Sequence, residues 1–390
     1  MKNAVGAERR PGEAGPGRPR ARRAAVGSCG VGAEPSFDAA VAVFRHEEAA
    51  EIMTPDLGPE AVFLCEAVRP DGTLDSDRVA RRETLYVGRN GKAVERFWLD
   101  VGGGTRSFIF KPLTNDDTAG REIWAYAHVV PAADARVPRM LAHHACGGWS
   151  GTGHWIIYED LGMLRHRFRT AIARAAACAA ASWHGLMPDF VPEGFRGHSP
   201  TFGEISVAVA ARWPRLSALA RELGLGRECE NAADRLFAKS TDEKCEAAAG
   251  ETVVAHGDYH PSNIAVAGGE LVVLDWEYVH RNSAYWDLYN LLDITSPRYR
   301  RLPPETRTRQ SVLRAYAEGR RKYGRPIADE AAFERGYYGY AAMHAAWILS
   351  LIERDLEREA YDRAALVAQR EETAAILRDC LLAWSDTGRV

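Results

Sequence analysis

The chain has 390 residues, 46% of them hydrophobic and 26% charged, and a formal net charge of -3. That length suits two lobes better than one core, and the composition is that of a globular protein. The near-neutral charge argues against a nucleic-acid footprint, which needs a basic face, and no apolar run is long enough for a membrane span. Cys29, Cys65, Cys146, Cys178, Cys229, Cys245 and Cys380 are odd in number and never form Cys-x-x-Cys. This favours reduced thiols and a cytoplasmic setting over a disulfide framework.

Residues 1–57 open with a stretch rich in Gly, Pro, Ala and Arg that holds too little apolar surface to offset its ordering entropy, so a disordered leader is expected. It reads as a basic leader or an over-extended translation start, with Met53 as an alternative. From Thr84 the pattern becomes β: strands at 84–87 and 93–101 flank a turn at Gly88-Arg89-Asn90-Gly91. A second turn at Gly102-Gly103-Gly104 leads to a strand at 107–111, which ends in Lys111. An acidic helix start near Asp116-Asp117 follows and carries Arg121-Glu122. Strands at 137–141 and 155–158 would complete a five-stranded sheet. His143, His144 and Cys146 have ligand chemistry but no fourth ligand at useful spacing, and are read as a loop.

After Glu159-Asp160-Leu161-Gly162 helices dominate. One is expected over 169–183, stopping at His184-Gly185; others fall at 203–223, 227–247, 285–293, 305–323, 328–358 and 360–385. Between them lies the densest chemistry of the chain: Val254-Ala255-His256-Gly257-Asp258-Tyr259-His260-Pro261-Ser262-Asn263-Ile264, then Leu271-Val272-Val273-Leu274-Asp275-Trp276-Glu277. Two apolar runs around Gly268-Gly269 predict a hairpin. Folding it places Asn263 opposite Leu274, so Asn263 and Asp275 share its open end with the loop that carries Asp258. Hard oxygen ligands converging there suit Mg²⁺.

His-Gly-Asp-x4-Asn-x11-Asp, preceded by Lys111 and Glu122, resembles the aminoglycoside phosphotransferase and choline kinase-like family, small-molecule kinases of the protein-kinase-like fold. Asp275-Trp276-Glu277-Tyr278 is similar to the Asp-Phe-Glu-Tyr run of choline and ethanolamine kinases. The resemblance implies a bilobal α+β fold: residues 58–160 as an N-terminal nucleotide-binding lobe with a five-stranded antiparallel sheet and a helix, and residues 161–390 as a larger helical lobe for catalysis and the acceptor. It implies Asp258 as the catalytic base and Asn263 and Asp275 as metal ligands. Lys111 would hold phosphates, braced by Glu122. Gly88, Asn90 and Gly91 would cover the nucleotide, and Glu159 and Leu161 would form the hinge against its base. His256 and Asp287 would brace the catalytic loop. ATP, with GTP also allowed, and Mg²⁺ are the implied cofactors, and a small hydroxylated molecule the partner: an antibiotic, a natural-product intermediate or, as the alternative, an amino alcohol. A kinase-like nucleotide-binding regulatory protein without turnover is the reading from another class. Protein kinase activity is disfavoured because Trp276-Glu277 replaces Phe-Gly after Asp275.

Overall fold

The structure is a computed structural model that describes residues 60–88, 91–113, 119–144, 153–196, 200–238, 250–296, 305–358 and 361–386. The expected leader, Asn90, the helix start at 116–118, Cys146 and the end of the helix expected over 227–247 lie outside the described residues.

The N-terminal part is an antiparallel sheet in the order β1-β2-β3-β5-β4. Its strands are β1 (Arg81–Val87), β2 (Ala93–Val101), β3 (Gly104–Pro112), β4 (Met140–His144) and β5 (Trp155–Glu159). The side-chain period of two sorts β3 and β5 onto two faces. Phe108, Phe110, Trp155 and Ile157 pack with Leu64 of α1 (Glu60–Cys65) on one face. Ile156 and Tyr158 pack with Ile123 of α2 (Ala119–His128) on the other, with Ile109 against them. Lys111 follows Phe110 and so stands on the α2 face. The β2–β3 turn uses Gly102 and Gly103 at φ of 56° and 89°, a conformation that costs glycine little.

The fourth strand differs from expectation. It runs over Met140–His144, not 137–141, so His143 and His144 are strand residues. Arg136 is drawn away instead: its amide donates to Leu271 O, and Val273 N donates to Arg136 O. Pro138 can donate to no ladder, which also delays the strand.

The C-terminal part is mostly helical: α3 (Thr170–Trp183), α4 (Phe202–Glu222), α5 (Arg227–Ala238), α6 (Ala284–Leu292), α7 (Thr306–Lys322), α8 (Glu330–Glu357) and α9 (Arg363–Asp386). Thr201 and Glu204 form a reciprocal capping box at the start of α4, which satisfies two amides there. Among the helices sit two small β pairs, β6 (Thr252–Ala255) with β9 (His280–Ser283), and β7 (Ile264–Ala267) with β8 (Glu270–Val273). The β7–β8 hairpin has the expected register, Ile264 against Val273, and Leu274 N donates to Asn263 O at 2.9 Å. Both of its outer edges are covered, one by Arg136 beside Val272 and the other by Arg165 beside Val266. Arg136 comes from the segment between α2 and β4, and Arg165 from the segment between β5 and α3. The fold is the bilobal α+β arrangement that the sequence led us to expect.

Candidate active site

The loop after β6 is fixed by its backbone. His256 N and Gly257 N donate to the two oxygens of Asp287 at 2.7 and 3.0 Å, and Trp286 Nε1 donates to Gly257 O at 2.7 Å. Gly257 has φ of 88°, and a Cβ there would meet Tyr278 O at 2.0 Å. No side chain fits, which accounts for glycine between His256 and Asp258. His256 is buried: its Nδ1 accepts from Asp258 N at 3.3 Å and its Nε2 faces Leu274 O at 3.0 Å. That pattern fixes the neutral ring, and burial lowers its pKa accordingly.

Asp258 leaves this scaffold with its side chain about one-fifth exposed. Asn263 Nδ2 donates to Asp258 O at 2.9 Å and to Asp258 Oδ2 at 3.1 Å, so the amide oxygen of Asn263 is its remaining atom able to meet a cation. His260 Nε2 lies 3.3 Å from Asp258 Oδ2. A partly exposed carboxylate steadied from the side can take a proton from a hydroxyl placed before it.

Opposite stands a charged cluster. Lys111 Nζ donates to Glu122 Oε2 at 2.7 Å and to Asp275 Oδ1 at 2.6 Å, with Glu277 Oε2 at 3.8 Å. Burial alone would lower the Lys111 ammonium, but the three carboxylates outweigh it and hold its pKa well above the ordinary value. One cation does not neutralise three anions. Burial pushes Glu277 up to about 7, with Lys111 opposing and Asp275, Glu122 and Asp258 adding to the rise. Burial likewise raises Glu122 against the pull of Lys111. Asp275 has φ of 66°, the one positive φ outside glycine among the described residues. Such a conformation costs on the order of 1 kcal/mol and is kept where the surroundings demand it.

Ligand atoms of Glu122, Asp275 and Glu277 lie within 4.8 Å of one another. Glu122 is nearly fully buried against Lys111. Asp275 and Glu277 are the less buried pair of this group, and their hard carboxylate oxygens are of the type that a magnesium ion takes.

The remaining expected residues lie in the turns and strand ends of the sheet and just after it. Gly88 and Gly91 close the β1–β2 turn, Gly91 N donating to Gly88 O; Asn90 lies outside the described residues. Glu159 ends β5, with its amide and carboxylate engaged by Arg139. Leu161 follows beside the hairpin core of Ala265, Ala267 and Val272. Two contributors escaped sequence reasoning. Glu277 was visible only as the second carboxylate of Asp275-Trp276-Glu277. Arg96 of β2 grips Asp160 at 2.7 and 3.2 Å and Gly162 O at 3.1 Å, fixing the turn between sheet and helices; its partner is too distant in sequence to be inferred.

The chain has counterparts among known proteins. Residues 89–326 match the sequence profile of the phosphotransferase enzyme family, whereas no curated protein sequence matches the chain. Among solved structures, an aminoglycoside phosphotransferase from Alicyclobacillus acidocaldarius is 13% identical, with a TM-score of 0.51, over 84% of this chain and 96% of that one. A choline kinase from Cryptosporidium parvum is 11% identical, with a TM-score of 0.46, over 84% and 94%. A spectinomycin phosphotransferase in complex with ADP and spectinomycin is 11% identical, with a TM-score of 0.44, over 80% and 94%.

Proposed function

The chain belongs to the phosphotransferase enzyme family, and on that premise we propose that it transfers the γ-phosphate of ATP to a hydroxyl of a small molecule. The observation that carries this reading is the meeting of Lys111, Glu122 and Asp275 beside a loop that presents Asp258 and Asn263.

Phosphoryl transfer needs positioning and charge neutralisation more than covalent chemistry. Lys111, braced by Glu122, holds the nucleotide phosphates as a point charge. Asp258 orients the acceptor hydroxyl and takes its proton as the new oxygen–phosphorus bond forms and the bond to the β-phosphate oxygen breaks, leaving ADP. Asp275, Glu277 and the Asn263 oxygen would hold Mg²⁺, which when bound would supply charge neutralisation at the phosphates. The hinge at Glu159–Leu161, set by the Arg96–Asp160 pair, would meet the base, with GTP as the alternative donor. Residues 58–160 supply the nucleotide side and residues 161–390 the acceptor side. No described helix is long and apolar enough to cross a membrane, and ATP use together with free thiols at Cys65, Cys178, Cys229 and Cys380 supports a cytoplasmic setting.

The acceptor class is decided by a screen that spans amino alcohols, hydroxylated antibiotics and sugars. The deciding experiment is ATP consumption across such acceptors by the full chain and by Asp258→Ala, with nucleotide affinity measured by calorimetry. The variant is expected to bind MgATP within about twofold and to lose about a thousandfold in turnover, about 4 kcal/mol of barrier. Unchanged turnover overturns the assignment.

A further inference from the structure

The carboxylate that holds the catalytic loop is itself held, by a chain of side chains that ends at the surface. Asp287 is fully buried. Besides the two loop amides, its Oδ2 receives His184 Nε2 at 3.0 Å and faces Trp183 Nε1 at 3.5 Å. His184 caps α3 and is buried. Its Nδ1 lies 2.9 Å from the hydroxyl of Tyr316 on α7. Arg320, one turn further along α7, donates from Nη1 to that hydroxyl at 3.1 Å. Its Nη2 donates to both oxygens of Glu251 at 2.8 and 3.0 Å, and its Nε to Arg325 O at 3.0 Å. Glu251 immediately precedes β6, the strand that delivers His256, Gly257 and Asp258.

Proton counting gives this chain one direction. A guanidinium only donates, so the Tyr316 oxygen accepts from Arg320. The single hydroxyl proton of Tyr316 is then directed to His184 Nδ1. His184 accordingly carries its proton on Nε2 and gives it to Asp287. Each donor finds one acceptor, and the net positive end at Arg320 is matched by Glu251. Without His184, Asp287 would keep its charge in a buried site with one charge-assisted hydrogen bond fewer, and its carboxylate plane could turn away from the two amides.

We propose that His184, oriented by Tyr316, is a positioning residue for phosphoryl transfer: it fixes the plane of the Asp287 carboxylate, and through it the height of Asp258 over the cleft. Neither His184 nor Tyr316 touches a reactant. The inference rests on Asp258 as the proton acceptor, and a misplacement of about 1 Å at such a group costs about a hundredfold in rate.

The test compares the full chain with His184→Leu, His184→Gln and Tyr316→Phe, using slow hydrolysis of MgATP and transfer to any acceptor found in the screen, with hydrogen exchange of the 254–264 segment as a readout independent of turnover. His184→Leu is expected to lose exchange protection in that segment and to lower kcat about 10- to 100-fold, while its MgATP affinity stays within about twofold. His184→Gln, which keeps an N–H donor, is expected to recover most of both. Tyr316→Phe is expected to lie between, and serves as the informative variant should His184→Leu fail to fold. Unchanged exchange and kcat in folded variants overturn the proposal, and so does a loss that His184→Gln does not relieve or that affects MgATP affinity equally. An active Asp258→Ala would instead overturn the base assignment, whereas an inactive Asp258→Ala beside a fully active His184→Leu overturns the positioning role alone.

Discussion

The cluster around Lys111 and the clamp around Asp287 are both built on buried or half-buried carboxylates, and they solve the burial of charge in opposite ways. At Lys111 three carboxylates compete for one ammonium, one of them with its pKa pushed up to about 7. At Asp287 one carboxylate meets two backbone amides, an imidazole and an indole. Burial would raise its pKa, yet the hydrogen bond from His184, together with that from the Gly257 amide, holds it below the ordinary range. An over-supplied cluster gains by exchanging partners, and a cation entering between Asp275 and Glu277 relieves it. A fully partnered clamp gains nothing from any newcomer. The first is suited to binding and release, the second to holding a loop still.

The largest expected effect is at the exchangeable end. Asp275→Asn keeps a residue type that tolerates the left-handed backbone but removes the charge. It should abolish the magnesium dependence of nucleotide binding in calorimetry and lower turnover by a thousandfold or more, about 4 kcal/mol. Retained magnesium dependence would erase the distinction drawn above. Next comes the rigid end. Arg309 of α7 makes a fully buried pair with Asp293 at 2.8–3.1 Å, which Tyr337 also meets at 2.5 Å, and Asp293 caps the helix that carries Asp287. Arg309→Met strands that carboxylate and should cost about 3–5 kcal/mol in denaturant unfolding.

Glu277→Gln has a smaller effect of opposite sign. A carboxyl raised to about 7 when folded binds its proton more tightly in the folded state than in the unfolded chain. Its contribution to stability is therefore full below about pH 4.5 and is lost as pH rises through 7. The metal-free Gln variant should melt higher than the parent at pH 8, by about 1–3 kcal/mol at roughly 1.4 kcal/mol per pKa unit, and the gap should close toward pH 4.5. A lower melting temperature at pH 8 would show that Glu277 is a satisfied partner and not surplus charge. Smallest of all, Arg215 and Glu357 lie 2.7 Å apart but are largely exposed, so Arg215→Ala should alter stability by less than about 0.5 kcal/mol.

The distribution of what could be read beforehand follows from sequence separation. The hairpin was legible because Gly268-Gly269 and two apolar runs determine it locally. The Lys111–Glu122 contact spans 11 residues, and Asp258 to Asn263 only five. The strand at Met140–His144 was misplaced because Arg136 is captured by Leu271, a partner no local pattern announces. His184 was legible only as a helix end, since its partners Asp287 and Tyr316 lie 103 and 132 residues away. Roles that depend on one helix meeting another late in the chain leave no local trace.

The covered edges of the β7–β8 hairpin bear on how this chain can be cut. Arg136 lies along β8 and Arg165 along β7, and both are contributed by residues that precede α3. A fragment starting at Thr170 would retain the hairpin and lose both covers. Ile-Ala-Val-Ala and Leu-Val-Val would then offer unpaired amides and carbonyls on two apolar edges, a template for sheet growth between molecules. Expression of the helical part alone should yield aggregates, and a short peptide spanning 133–139 supplied in trans should slow their formation.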